Sequence, residues 1–171
     1  IKADAYGHGA VPIARMLEEF DYIWGFAAAT AQEALQLRKA GITRPILILG
    51  LVFEEYYKKL AENDVRMAVC DYETARKFNK AAEAAGKKGL IHLAADTGMT
   101  RIGFKDREES LEEIRRIAAL PNVEIEGLFT HFARADEYDR TPAMVQLKRY
   151  LDFADLLEKN GIHIPTASLF Q

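Results

Sequence analysis

Short apolar runs alternate along this chain with longer amphipathic stretches, and no other feature restricts its fold so much. Strand candidates fall at residues 22–28, 46–51, 65–70, 90–95 and 123–130, with 162–169 as a further one. Ile1-Lys2 reads as the tail of an earlier strand. The runs are apolar throughout rather than alternating, which is expected of parallel strands covered on both faces. The stretches between them have helix ends. Thr30-Ala31-Gln32-Glu33 is a capping box, closed downstream by Gly41. Asp71 caps a helix whose inward stripe is Ala75, Phe78, Ala82 and Ala85, ending at Gly86. Asp106 is expected to cap a helix with Leu111, Ile114 and Ala118 inward. Pro142 suits the first turn of the longest helix, which is expected to bury Met144, Leu147, Leu151 and Ala154 before Gly161.

Repeated strand–helix units of the α/β class allow two architectures, an open doubly wound sheet or a (β/α)8 barrel. Periodicity does not separate them, and no G-x-G-x-x-G fingerprint is present. At 171 residues the chain can bury one core of ordinary size, and no linker or low-complexity segment interrupts it.

Composition excludes several functions. Net charge is −3 with no basic stripe, which argues against nucleic acid as a partner. The longest apolar run, residues 45–53, is far too short to cross a bilayer, and the opening residues do not read as a signal peptide. Cys70 is the only cysteine, so no internal disulfide forms, and a cytoplasmic setting fits. Cys70 reads as a small apolar side chain in a strand. The four histidines lack metal-ligand spacing, so no metal is expected, and no serine or cysteine nucleophile motif appears.

The chemistry is concentrated in three strings. The first is Ile1-Lys2-Ala3-Asp4-Ala5-Tyr6-Gly7-His8-Gly9. A lysine kept uncharged by desolvation is a nucleophile toward an aldehyde, and the glycines allow a tight turn close to a ligand. Taken alone, a strand-end lysine is more often a solvated charge, and a Gly-x-Gly is usually just a turn. The second string is Asp96-Thr97-Gly98-Met99-Thr100-Arg101-Ile102-Gly103-Phe104, and the third runs from Gly127-Leu128-Phe129-Thr130-His131 to Glu137. Each follows a predicted strand.

Together, in this order, the three strings resemble the motifs of the alanine racemases, barrel enzymes that use pyridoxal 5'-phosphate (PLP). The likeness runs from Ile1 to about Pro165. It implies a (β/α)8 TIM barrel, present here as an incomplete fragment: residues 1–171 are part of the PLP-binding N-terminal barrel, with the family's C-terminal β domain absent. It implies that Lys2 is the catalytic lysine that bonds the cofactor and serves as one of two bases. Tyr6 would donate to the cofactor phosphate. Arg101 would contact the phenolic oxygen of the cofactor and bind the substrate carboxylate. His131 would lie against the pyridine ring. His8, Asp96 and Thr97 are expected to shape turns, while His92 and His163 have no assigned role.

One position departs from the family pattern. Many members carry a carbamylated lysine seven residues before the arginine, and this chain has Ala94 there. Arg101 then needs another counter-charge, such as a chloride, a substrate carboxylate or a nearby acid. The resemblance implies a cytoplasmic homodimer that supplies D-alanine for peptidoglycan, with the second base, a tyrosine, coming from the partner. The 171-residue chain alone is expected to be inactive. A racemase for another small amino acid, such as serine, and a single-barrel PLP-binding homeostasis protein remain the alternatives. Side-chain preference is not legible, although residues 50–53 are a candidate wall.

Overall fold

The computed structural model describes all 171 residues. They form two compact units, one of Ile1–Ala68 with Lys77–Leu90 and the other of Val69–Arg76 with Ile91–Gln171. In the first, β1 (Phe26–Ala28), β2 (Ile46–Ile48) and β3 (Val65–Val69) run parallel in sequence order. Phe26 pairs with Ile46, and Ile46 with Val65, so the inward side chains line up across strands. Around them lie α1 (Lys2–Tyr6), α2 (Ala10–Glu18), α3 (Ala31–Lys39) and α4 (Tyr57–Glu62). Ala34, Leu37, Ile46, Ile48, Leu60, Met67 and Phe78 are almost wholly removed from water and make the core. The capping box of α3 forms as expected, with Thr30 Oγ1 accepting from Glu33 N at 3.2 Å, and Gly41 closes the helix at φ 86°.

The second unit contains β4 (Gly89–Asp96) from Ile91 onward, with β5 (Phe104–Lys105), β6 (Val123–His131) and β7 (Thr166–Phe170). The two-residue β5 pairs with the end of β4, and β6 pairs in parallel with β7 from Gly127↔Thr166 to His131↔Phe170. Its helices are α6 (Leu111–Ala118) and α7 (Thr141–Lys159), while α5 (Tyr72–Ala85) starts in this unit and belongs to the first from Lys77 onward. Asp71 caps α5 through Thr74 N at 2.7 Å, as its position predicts. Apart from the two-residue β5, the strands of both units follow sequence order without reversal, which is the winding of a (β/α) barrel and not of a doubly wound sheet.

Several expectations are corrected. β1 begins only at Phe26, because Tyr22 and Trp24 lie at the surface and pairing starts where Phe26 N reaches Pro45 O at 2.8 Å. β2 stops at Ile48, ahead of an exposed Leu51. Ile1 is not strand: its nitrogen donates to Ala27 O at 3.0 Å, and Lys2 already belongs to α1. Asp106 caps nothing; it holds Arg149 instead, and α6 buries Ile117 rather than Ala118. The inward line of α7 is Ala143, Gln146, Tyr150, Phe153 and Leu157, one residue off the expected stripe. Two adjacent apolar lines run along this helix. The buried one contains two polar side chains that find partners, so hydrophobicity alone selects the wrong line.

The fit of α5 against β4 is tight at Gly89, where an added Cβ would sit 2.7 and 2.9 Å from ring carbons of Phe78. Gly89→Ala is expected to cost about 1–3 kcal/mol in urea unfolding through overpacking. Combined with Phe78→Leu, it should cost less than the sum of the two single changes, since the smaller side chain frees the space.

Candidate active site

In the first unit the first motif string lies on a strained turn. Within α1, Ala3, Asp4 and Ala5 have φ of 52–53° and ψ of 44–47°, and Tyr6 continues at φ 56°. These are left-handed conformations, unfavourable by about 1–2 kcal/mol for each residue with a Cβ. Gly7 and Gly9, at φ 87° and 90°, complete the turn without that cost. Fixed partners offset the strain. Asp4 Oδ1 accepts from Ala10 N at 2.7 Å, at the start of α2. Glu33 Oε1 accepts from Ala3 N at 2.8 Å, while its Oε2 takes Ala29 N at 2.8 Å and serves the capping box. His8 Nδ1 lies 2.9 Å from Ala5 O, the backbone contact expected of it. The turn brings Lys2 and Tyr6 together: the half-buried lysine has its Nζ 5.7 Å from the centroid of the exposed Tyr6 ring.

In the second unit Arg101 is carried by the loop between β4 and β5. Asp96 Oδ1 accepts from Gly98 N at 3.1 Å and Thr100 N at 2.8 Å, which winds the loop and leaves Arg101 exposed. Gly103 lets the chain return: with φ 129°, an added Cβ would be 2.6 Å from Asp96 N. Ala94, 2% exposed, provides no charge. Asp106 accepts from Arg149 of α7 at 2.5 and 2.6 Å, and this guanidinium holds its carboxyl below the usual range.

His131 ends β6, half-buried, on the strand beside the one whose loop carries Arg101. The two do not bond to each other. They are linked through the residues behind them, where Thr97 and Thr130 share a hydrogen bond of 2.8 Å. Tyr150 of α7 donates to Leu128 O at 2.7 Å and accepts from Ser168 N at 3.2 Å, and burial pushes its hydroxyl pKa up to about 12.

The remaining candidates stand apart. His92 is fully buried in β4, its Nε2 3.0 Å from Glu126 Oε2, and its ring occupies the space above Gly127. His163 pairs with Glu158 on the surface. Cys70 follows the last residue of β3 and is half-buried, not inside a strand; desolvation, reinforced by Asp71, raises its thiol pKa, which suits an inert side chain. Leu51, Val52 and Phe53 line a small groove with Thr30, Ala31, Gln32 and Tyr56. No group of three or more His, Cys, Asp or Glu side chains is arranged to hold a metal, and no helix is long and apolar enough to cross a membrane. Glu33 in the first unit and Gln146 in the second hold the segments that carry candidate residues, and neither is marked for this by its local sequence. Glu33 was legible only as a cap, since nothing marks its second oxygen. Gln146 was hidden by the choice of stripe on α7.

Comparison with known proteins identifies the lineage. The family model for the alanine racemase N-terminal domain matches residues 1–170. Alanine racemase of Methanococcus maripaludis is 45% identical over 165 residues, covering 96% of this chain and 44% of the relative. That of Clostridium perfringens is 46% identical over 165 residues, covering 96% and 42%. The solved structure of Clostridium difficile 630 alanine racemase in complex with cycloserine superposes with a TM-score of 0.94 at 41% identity, over 99% of this chain and 46% of that one. The chain thus spans less than half the length of the relatives it matches. The superposition bears out the expected incomplete (β/α) barrel.

The Asp106–Arg149 pair gives a pH-dependent prediction. The folded pKa of Asp106 lies below its unfolded value, about 3.9. Its contribution is therefore fully present above that pH and is lost as pH falls through the lowered folded value. Asp106→Asn should cost about 1–2 kcal/mol at pH 7, discounted because Arg149 is partly exposed. It should also flatten the acid side of the stability–pH curve, as measured by urea unfolding between pH 2 and 7.

Proposed function

The chain belongs to the alanine racemase family, and from that membership we propose that residues 1–171 are the PLP-binding barrel portion of an enzyme that interconverts L- and D-alanine. The observation that carries this reading is the rigid left-handed turn that presents Lys2 beside Tyr6. An amine and a phenol a few ångströms apart suit a cofactor with an aldehyde and a phosphate. A guanidinium and a half-buried imidazole at neighbouring strand ends suit its phenolic oxygen and ring. Taken one by one, these groups each suit a part of PLP.

When bound, PLP supplies an electron sink for the charge left by the departing α-proton. Lys2 would anchor the cofactor covalently and then take or return that proton on one face, a role that needs its amine uncharged in the loaded site. Tyr6 would donate its hydroxyl to the phosphate. Arg101 would hold the substrate carboxylate and the phenolic oxygen, since a planar guanidinium remains charged at working pH. His131 would lie against the ring. With Ala94 behind it, Arg101 would be balanced by the substrate carboxylate or by a small anion such as chloride. In the complete protein, a C-terminal β domain from the partner of a homodimer would supply the second base. A cytoplasmic role in D-alanine supply for peptidoglycan follows from the same reading.

Borohydride reduction of the full-length protein with PLP should fix the cofactor on Lys2, located by peptide mapping. Lys2→Ala should lower racemisation of L-alanine by about 10³-fold or more. An adduct on Lys39 or Lys87 instead, or equal turnover by the variant, would overturn the assignment.

A further inference from the structure

Gln146 is 6% exposed on the inner line of α7, with the Thr97 hydroxyl as a neighbour. Its Nε2 donates to Thr97 Oγ1 at 3.2 Å, and its Oε1 accepts from Ala133 N at 3.0 Å. Thr130 Oγ1 donates to Ala95 O at 2.9 Å, so the 2.8 Å bond between the threonines must run from the Thr97 hydroxyl to Thr130. The result is a one-way chain of hydrogen bonds: Ala133 N–H to Gln146, Gln146 to Thr97, Thr97 to Thr130, and Thr130 to the carbonyl of β4. Thr97 and Thr130 are each 1% exposed, so solvent does not replace a missing partner.

We infer that Gln146 is a positioning residue that fixes the loop carrying Arg101 relative to the strand end carrying His131. The inference rests on the proposed function and deepens it. Thr97 opens the loop that leads to Arg101, Thr130 directly precedes His131, and Ala133 lies two residues beyond it. An amide is suited to the place because it donates and accepts from one planar group. A leucine does neither, and an ionised glutamate does not donate. The loop also passes close to this side chain: a Cβ at Gly98 would lie 3.6 Å from Gln146 Cγ and Nε2. A displacement of the two loops moves the groups that hold substrate and cofactor, although Gln146 touches neither.

The test uses the full-length protein. Gln146→Leu keeps volume and removes both bonds. Thr130→Val breaks the chain at its hub, and Thr130→Ser restores the hydroxyl. Ser110→Ala is the stability control, because the Ser110 hydroxyl is held by Lys105 O at 2.8 Å in the same unit and touches neither loop. Three readouts are taken: PLP dissociation constant by absorbance titration, KM and kcat for L-alanine, and melting temperature without cofactor. Gln146→Leu and Thr130→Val should each raise KM and weaken PLP binding about 10- to 100-fold. Their combination should be little worse than either alone, because both cut one chain. Thr130→Ser should recover most of the loss, and Ser110→Ala should lower only the melting temperature. If Gln146→Leu does not fold, Thr130→Val against Thr130→Ser decides the matter. If the variants behave like Ser110→Ala, with KM and PLP affinity unchanged, the inference is overturned alone. A parent protein that neither binds PLP nor racemises alanine overturns it together with the proposed function.

Discussion

Parallel pairing within each unit is the constraint from which the site follows. A parallel neighbour can be reached only by a crossover, so the chain returns to start each strand in the same direction. The loops that leave strand ends then gather at one edge. In the second unit this places the Arg101 loop after β4 and His131 at the end of β6 without any bond between them. In the first unit, Ile1 beside Ala27 and the box at Thr30 bring the Lys2 turn and the start of α3 together. The apolar strand runs secure this arrangement by burial, leaving the loops free for chemistry.

Loops placed in this way still need to be held. At α1 the backbone takes a conformation that its alanines, aspartate and tyrosine all disfavour, and two carboxylates stabilise it. Glu33 links the turn to α3, and Asp4 links it to α2. Each meets backbone N–H groups that would otherwise lack partners near helix starts. In the role proposed for Lys2, the rigidity of the turn would limit where its amine can reach and so lower the entropy lost on forming a covalent bond.

The second unit solves the same problem from behind. α7 contributes Gln146, Arg149 and Tyr150 to three separate clasps, on the two site loops, on Asp106 and on β6 with β7. Their spacing of three and four residues puts them on one face of the helix. A purely apolar face would pack α7 equally well but would not fix where the loops end. Buried polar networks of this kind specify geometry when every member is satisfied.

The sequence alone determined the strand–helix alternation, the α3 and α5 caps, and the motif strings with Lys2, Tyr6, Arg101 and His131. Those signals are local: apolar runs, capping residues and glycine spacing act within a few positions of the chain. The left-handed sense of α1, the second use of Glu33, the Asp106–Arg149 pair and the inner line of α7 were decided only by tertiary structure. Each depends on partners far along the chain, such as Glu33 for Ala3 and Gln146 for Thr97. Helical periodicity offers two candidate faces on α7, and Asp106 has the composition of a cap. Which face turns inward, and which partner a carboxylate finds, depends on the burial and hydrogen-bond satisfaction of the assembled fold, and no local window of sequence contains that information.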